Sequence, residues 1–167
     1  MAITLYGSKQ NIIQVVSTTL TTTFSAAPAS NAFTDITGLS ASITPSSASN
    51  KIMVFISVTI NSGTADGAPF RLVRNGTAIG GGAVVGSRLS AMGMSASTVT
   101  NASQGSYAGT FLDSPATTSS ITYQVQGTGH STGNTFYVNR SQTFADGSNG
   151  YNATTSSTIT VMEVAFS

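Results

Sequence analysis

Hydrophobic and polar residues alternate with period two along much of this chain. Residues 51–61, KIMVFISVTIN, are the clearest case. Ile52, Val54, Ile56, Val58 and Ile60 share one face; Met53, Phe55, Ser57 and Thr59 share the other, as strand geometry requires. SITYQVQ at 120–126 alternates more strictly, with Ile121, Tyr123 and Val125 on one side. Further strands are predicted at 12–19, 32–36, 39–44, 70–74, 107–112 and 135–139, with a last one, STITVMEVAF, at 157–166. In that last strand Ile159 and Val161 take one face, and Met162, Val164 and Phe166 the other. No stretch carries apolar residues at helical spacing together with caps, so helices are not expected.

Turn-forming residues separate these runs: Thr37-Gly38, Pro45-Ser46-Ser47, Asp66-Gly67, Ser114-Pro115 and Asp146-Gly147. Asn75-Gly76, between FRLVR and TAIG, predicts a tight hairpin, because both residues tolerate the positive φ that such a turn needs. Many short strands at regular spacing point to an all-β chain, an antiparallel β-sandwich of jelly-roll-like type with an extended N-terminal arm. The arm and its linker are placed at 1–27, ending in the small-residue run SAAPASNA, and the β-sandwich domain at 28–167. A first strand of the same domain is the other reading of the arm. As an arm it would contact a capsid or a neighbouring subunit through Leu5, Tyr6, Ile12, Ile13, Val15 and Val16, adding a strand to its neighbour. Residues 80–106, 127–134 and 145–156 read as loops, where binding on a β scaffold usually resides.

Composition narrows the function. Charged residues make up 7% of the 167, against about 25% in an ordinary soluble domain. Ser and Thr, nearly a third of the chain, take their place. The net charge of +1 supplies no basic field for phosphates, so nucleic acid is not an expected partner. Cysteine is absent, which excludes disulfides and thiolate metal sites. No leader pattern and no bilayer-length apolar run is evident, so no membrane association is expected.

Material for catalysis is scarce. His130, the single histidine, lies in GTGHSTGN and reads as a solvated loop residue. The acids Asp35, Asp66, Asp113, Asp146 and Glu163 are scattered, and Asp66, Asp113 and Asp146 sit where Asp forms turns. Gly80-Gly81-Gly82 lacks the Lys and helix of a phosphate loop. Arg71, Arg74 and Arg140 read as a solvated strand face, with an ion pair across an interface as the other reading. Tyr123 reads as core; Tyr151, in DGSNGYN, reads as the exposed aromatic, and with His130 it marks a possible ligand loop. Neither an enzyme, nor a metal, nor a cofactor is expected.

The order of several segments adds to this. YGSKQNIIQVVSTT at 6–19, FTDITGLSASITPSSASNKIMVFISVTI at 33–60, FRLVRNGTAI at 70–79, FLDSPATTSSITYQVQ at 111–126, FYVNRS at 136–141 and STITVMEV at 157–164 together resemble a β domain of tailed-bacteriophage virion proteins. That resemblance covers nearly the whole chain. It implies a jelly-roll-like homotrimer on the particle surface, made in the host cytoplasm and lacking enzyme activity. A short arm from Met1 without a long shaft favours a capsid decoration or cement protein on the head, docked on the major capsid protein or another virion protein. The alternative is a receptor-binding tip domain of a tail or capsid fibre that meets a host surface glycan. In either case Met162, Val164 and Phe166 are expected at a subunit interface.

Overall fold

The computed structural model describes residues 10–29, 32–64, 66–95, 104–129 and 131–166. They form eleven strands: β1 (Gln10–Leu20), β2 (Phe24–Ala26), β3 (Thr34–Ile43), β4 (Lys51–Ser62), β5 (Pro69–Arg74), β6 (Thr77–Ile79), β7 (Gly93–Met94), β8 (Gly105–Asp113), β9 (Ile121–Gly127), β10 (Phe136–Val138) and β11 (Ser157–Phe166). One 3₁₀ turn, Gly150–Asn152, interrupts the loop before β11. No helix among the described residues is long and apolar enough to cross a membrane.

The pairings nest. β1 pairs antiparallel with β11, β3 with β9, β4 with β8, and β5 with β6. First meets last, then each next inward pair, as in one long hairpin. Two more pairings, β11 with β4 and β9 with β5, roll that hairpin into two sheets. The first runs β1-β11-β4-β8 and the second β3-β9-β5-β6. This wrapped order is that of a jelly roll. β10 and β2 lengthen the first sheet, and β7 lies beside β5 in the second.

The core lies between the sheets. Ile52, Val54, Ile56, Val58 and Ile60 of β4 face inward with Ile159 and Val161 of β11. Opposite them lie Ile36, Leu39, Ala41, Ile43, Phe70, Leu72, Ile121, Tyr123 and Val125. Each Val, Leu, Ile or Phe among them contributes roughly 1.5–3 kcal/mol relative to exposure. Asn75 (φ 47°) and Gly76 (φ 82°) both take the left-handed conformation, and Arg74 faces Thr77 across the expected hairpin.

Two expectations need correcting. Residues 32–36 and 39–44 are not separate strands: β3 runs through Thr37-Gly38 with a register shift between Asp35 and Ser40. Gly38, at φ 85°, absorbs the irregularity, so Ile36 and Leu39 both reach the core despite their odd spacing. From Gln10 onward, the segment assigned to an arm over 1–27 belongs to the sandwich. β1 forms a ladder with β11 along its length, and Leu20 is buried. The alternation of β1 buries one face against its own chain, which favours its own sheet over a neighbour's.

Candidate functional site

The outer face of the first sheet is the most unusual surface. Cross-strand pairing aligns Val15 with Met162, Met162 with Met53, and Met53 with Leu112. Side chains directly opposite one another in this way touch. One apolar row therefore crosses all four columns of the sheet, from β1 to β8. Ile12 lies opposite Val164 on one side of the row, and Phe55 stands on the other. Ile12 is 60% exposed, Val15 53%, Leu112 45% and Phe55 42%. Lys51 flanks this end of the sheet, its Nζ donating to Ser114 Oγ at 2.7 Å. Toward the other end the face turns to hydroxyls: Ser17 and Thr160 share a 2.8 Å hydrogen bond, as do Thr59 and Ser106. Isolated exposed apolar residues are ordinary, but a contiguous patch marks a contact surface.

Glu163 holds the edge of this face in place. It is the only Glu in the chain, and it lies fully buried on the inner side of β11. Its Oε2 accepts from Gln14 Nε2 at 2.6 Å. Its Oε1 accepts from Asn50 Nδ2 (2.6 Å), Ser46 N–H (2.7 Å) and Ser46 Oγ (2.7 Å). Burial pushes this carboxyl up, but the hydrogen bonds from Asn50, Gln14 and Ser46 prevail and bring its pKa from 4.5 down to about 2. Gln14 also donates to the Thr44 carbonyl, so β1 is tied to both β11 and the β3–β4 turn. Beside it the ladder shifts register between Ile12 and Gln14, which leaves Ile13 as an exposed extra residue.

A second cluster spans the two sheets. Asp113, buried at the end of β8, accepts two bonds from Arg74 Nη1 (2.8 and 2.9 Å) and one from Tyr123 Oη (2.6 Å). It also accepts from Ser114 N–H, the turn-capping role expected for it. Burial, then the bond to Asp113, raises the Tyr123 pKa far above its ordinary value. Arg74 is therefore not simply solvated, and its acid lies within the same chain. Arg71 bonds Gln126 and stacks on Phe33, and Arg140 lies beyond the end of β10. All these groups are satisfied by structural partners, and no reactive group is left free among them.

The expected site residues fare differently. Ile12, Ile13 and Val15 are exposed on β1, and Met162 and Val164 are half-buried on the same outer face. Val16 turns inward and packs on the core. Leu5, Tyr6 and His130 lie outside the described residues. Phe166 pairs with Gln10 through its backbone, and Tyr151 sits in the 3₁₀ turn. Met53, Phe55 and Leu112 were not among the expected site residues. The parity of β4 already placed Met53 and Phe55 on its second face; that they meet Met162 required the register. Among the described residues no group of three or more His, Cys, Asp or Glu could hold a metal ion.

No protein-family model matches the chain, and neither does any curated protein. Among solved structures, a chain from the structure of infectious bursal disease virus, Gx strain, is similar over 92% of this chain, at 13% identity and a TM-score of 0.37. This chain spans 40% of that one. A likeness this slight bears on neither function nor partner.

Proposed function

We propose that this chain is a structural protein of a bacteriophage particle: a decoration or cement subunit seated on the head surface. The observation that carries the reading is the apolar row Val15–Met162–Met53–Leu112, displayed on a rigid, charge-poor jelly roll. Such a face costs free energy while it meets water, and it is satisfied by docking on another virion protein and on copies of itself. The segment order that resembles phage virion proteins supplies the kind of particle. The polar clusters are closed on themselves, which suits a scaffold.

The test is co-sedimentation with heads stripped of this protein, comparing the parent chain with the double variant Met53→Ser, Phe55→Ser. Both side chains lie on the outer face, so the fold should persist. Losing two apolar contacts of roughly 1.5 kcal/mol or more each should weaken attachment about a hundredfold or more. Undiminished binding by a folded double variant would refute the docking face.

A further inference from the structure

Two Asn-Gly pairs occur in the chain, Asn75-Gly76 and Asn149-Gly150. An asparagine before glycine carries a latent reaction: the glycine nitrogen, unshielded by a Cβ, can attack the asparagine side-chain carbon. The attack needs rotation about the asparagine Cα–C bond until that carbon lies beside the nitrogen, so backbone restraint governs the rate. Neither exposure nor crowding separates the two pairs. All four residues are exposed, and a Cβ on either glycine would meet nothing within 4 Å. Restraint does separate them.

Asn75 is locked. It forms the hairpin turn with Gly76, both in the left-handed conformation. Its N–H donates to the Thr122 carbonyl and its Oδ1 accepts from Thr122 N–H, both at 2.9 Å. Before it, Arg74 is paired with Thr77 and bonded to Asp113. Rotation at Asn75 would pull its side chain off β9 and open the hairpin. Asn149 ends an exposed run from Thr143 and has extended backbone, φ −69° and ψ 136°. Its side chain does not cap the 3₁₀ turn that follows. Rotation there disturbs one such turn, held by Asn152 N–H to the Asn149 carbonyl (2.9 Å) and Ala153 N–H to the Gly150 carbonyl (3.2 Å). Exposed loops lie at the low-cost end of local opening in a fold.

We propose that Asn149 is a site of spontaneous covalent modification, with water as the co-reactant, and that the hairpin protects Asn75. The Gly150 nitrogen gives up its proton to solvent and bonds to Asn149 Cγ. The Cγ–Nδ2 bond breaks and Nδ2 leaves as ammonia, giving a cyclic imide. Water then opens the ring. Cleavage between Cγ and the Gly150 nitrogen gives aspartate; cleavage of the original peptide C–N bond gives isoaspartate. Either product adds one carboxylate, so the formal net charge falls from +1 to 0. The base of the loop is held elsewhere, by Thr155 N–H to the Asn139 carbonyl and Gln104 Nε2 to the Ala153 carbonyl, so the change stays local. The reaction does not depend on the docking face, so either reading can fail without the other.

The test incubates the folded full chain at mildly alkaline pH in heavy-oxygen water and follows both sites by peptide mass spectrometry. Asn149 should convert to a mixture of aspartate and isoaspartate, each with one labelled oxygen. It should do so at least about tenfold faster than Asn75, whose two bonds to Thr122 must break first. In urea the two sites should react at similar rates. Gly150→Val, which shields the nitrogen, should slow conversion at 149 in the folded chain and in urea alike. The proposal is overturned if Asn75 reacts as fast as Asn149 in the folded chain, or if Asn149 persists there while it reacts in urea. It is equally overturned if the difference between the sites survives in urea, or if no isoaspartate forms at 149.

Discussion

Replacing Glu163 by Gln tests whether a buried charge sets the edge of the first sheet. The two side chains have nearly the same shape, so packing is kept. The carboxylate accepts four hydrogen bonds and donates none; in Gln, one oxygen becomes an NH₂ that faces the donors of Gln14 or of Ser46 and Asn50. The carboxyl shift from 4.5 to about 2 corresponds to roughly 3 kcal/mol of stability, at about 1.4 kcal/mol per pH unit. The folded-state pKa is depressed, so this contribution is complete above 4.5 and is lost as the pH falls toward 2. Urea unfolding, followed by tyrosine fluorescence, should show Glu163→Gln less stable than the parent by about 3 kcal/mol at neutral pH. Just above pH 2 most of that gap should have closed. A variant as stable as the parent at neutral pH would refute the reasoning. So would a gap of constant size at both pH values, because packing alone would then explain it.

Three further outcomes follow from particular contacts. Tyr123→Phe removes one buried bond to Asp113 and should cost about 1–2 kcal/mol in urea unfolding, whereas Asp113→Ala strands both Tyr123 and Arg74 and should cost roughly 3 kcal/mol or more; the reverse order would show that the cluster is not held by Asp113. Gly76→Ala meets no atom within 4 Å and should lower stability by only about 1–2 kcal/mol through its positive φ, but Gly67→Ala sets a Cβ 2.5 Å from the Ser95 carbonyl and should cost distinctly more; equal thermal shifts would count against the geometry. Docking through the apolar row involves almost no charge, so head attachment should barely change as salt rises from about 0.05 to about 0.5 M, and sulfate should strengthen it; a steep decline with salt in the co-sedimentation assay would point to charged contacts elsewhere.

Much of the architecture is legible in the chain because burial imposes period two. β4 reads directly: its five inward branched residues are all in the core. The Asn75-Gly76 hairpin reads equally well, since few other pairs accept two left-handed residues in succession. What escapes is whatever depends on register. Thr37-Gly38 looks like a chain reversal, yet it is a bulge inside β3, because Ile36 and Leu39 both gain by burial and Gly38 permits the kink. The nested pairing is fixed by contacts far apart in sequence, so alternation alone cannot show it. Glu163 was half visible: it falls in phase with Ile159 and Val161, which places it on the core face of β11. Its donors, Asn50 and Ser46, come from a turn that no spacing rule links to the last strand.

The inner carboxylate and the outer apolar row are two sides of one device. Glu163 lies between Met162 and Val164, so the residue that grips Gln14 from within is flanked by two that face outward. On β1, Gln14 follows the bulge at Ile13, and Val15 comes next to meet Met162. Strand register is specified by which face is buried, and a slip of one residue exchanges the faces. Such a slip would turn Val15 inward, expose Val16, and leave Glu163 buried with one donor fewer, a loss that costs more for a charge than for a neutral group. Burying an ion at the edge of a sheet is unfavourable unless its donors are present, and they are present together only in this register. The charge therefore penalises misaligned pairings of β1 and keeps Ile12 and Val15 in line with Met162, Met53 and Leu112. A smooth edge strand with an all-apolar inner face would lack that penalty, and the alignment of the outer row would rest on burial of the inner face alone.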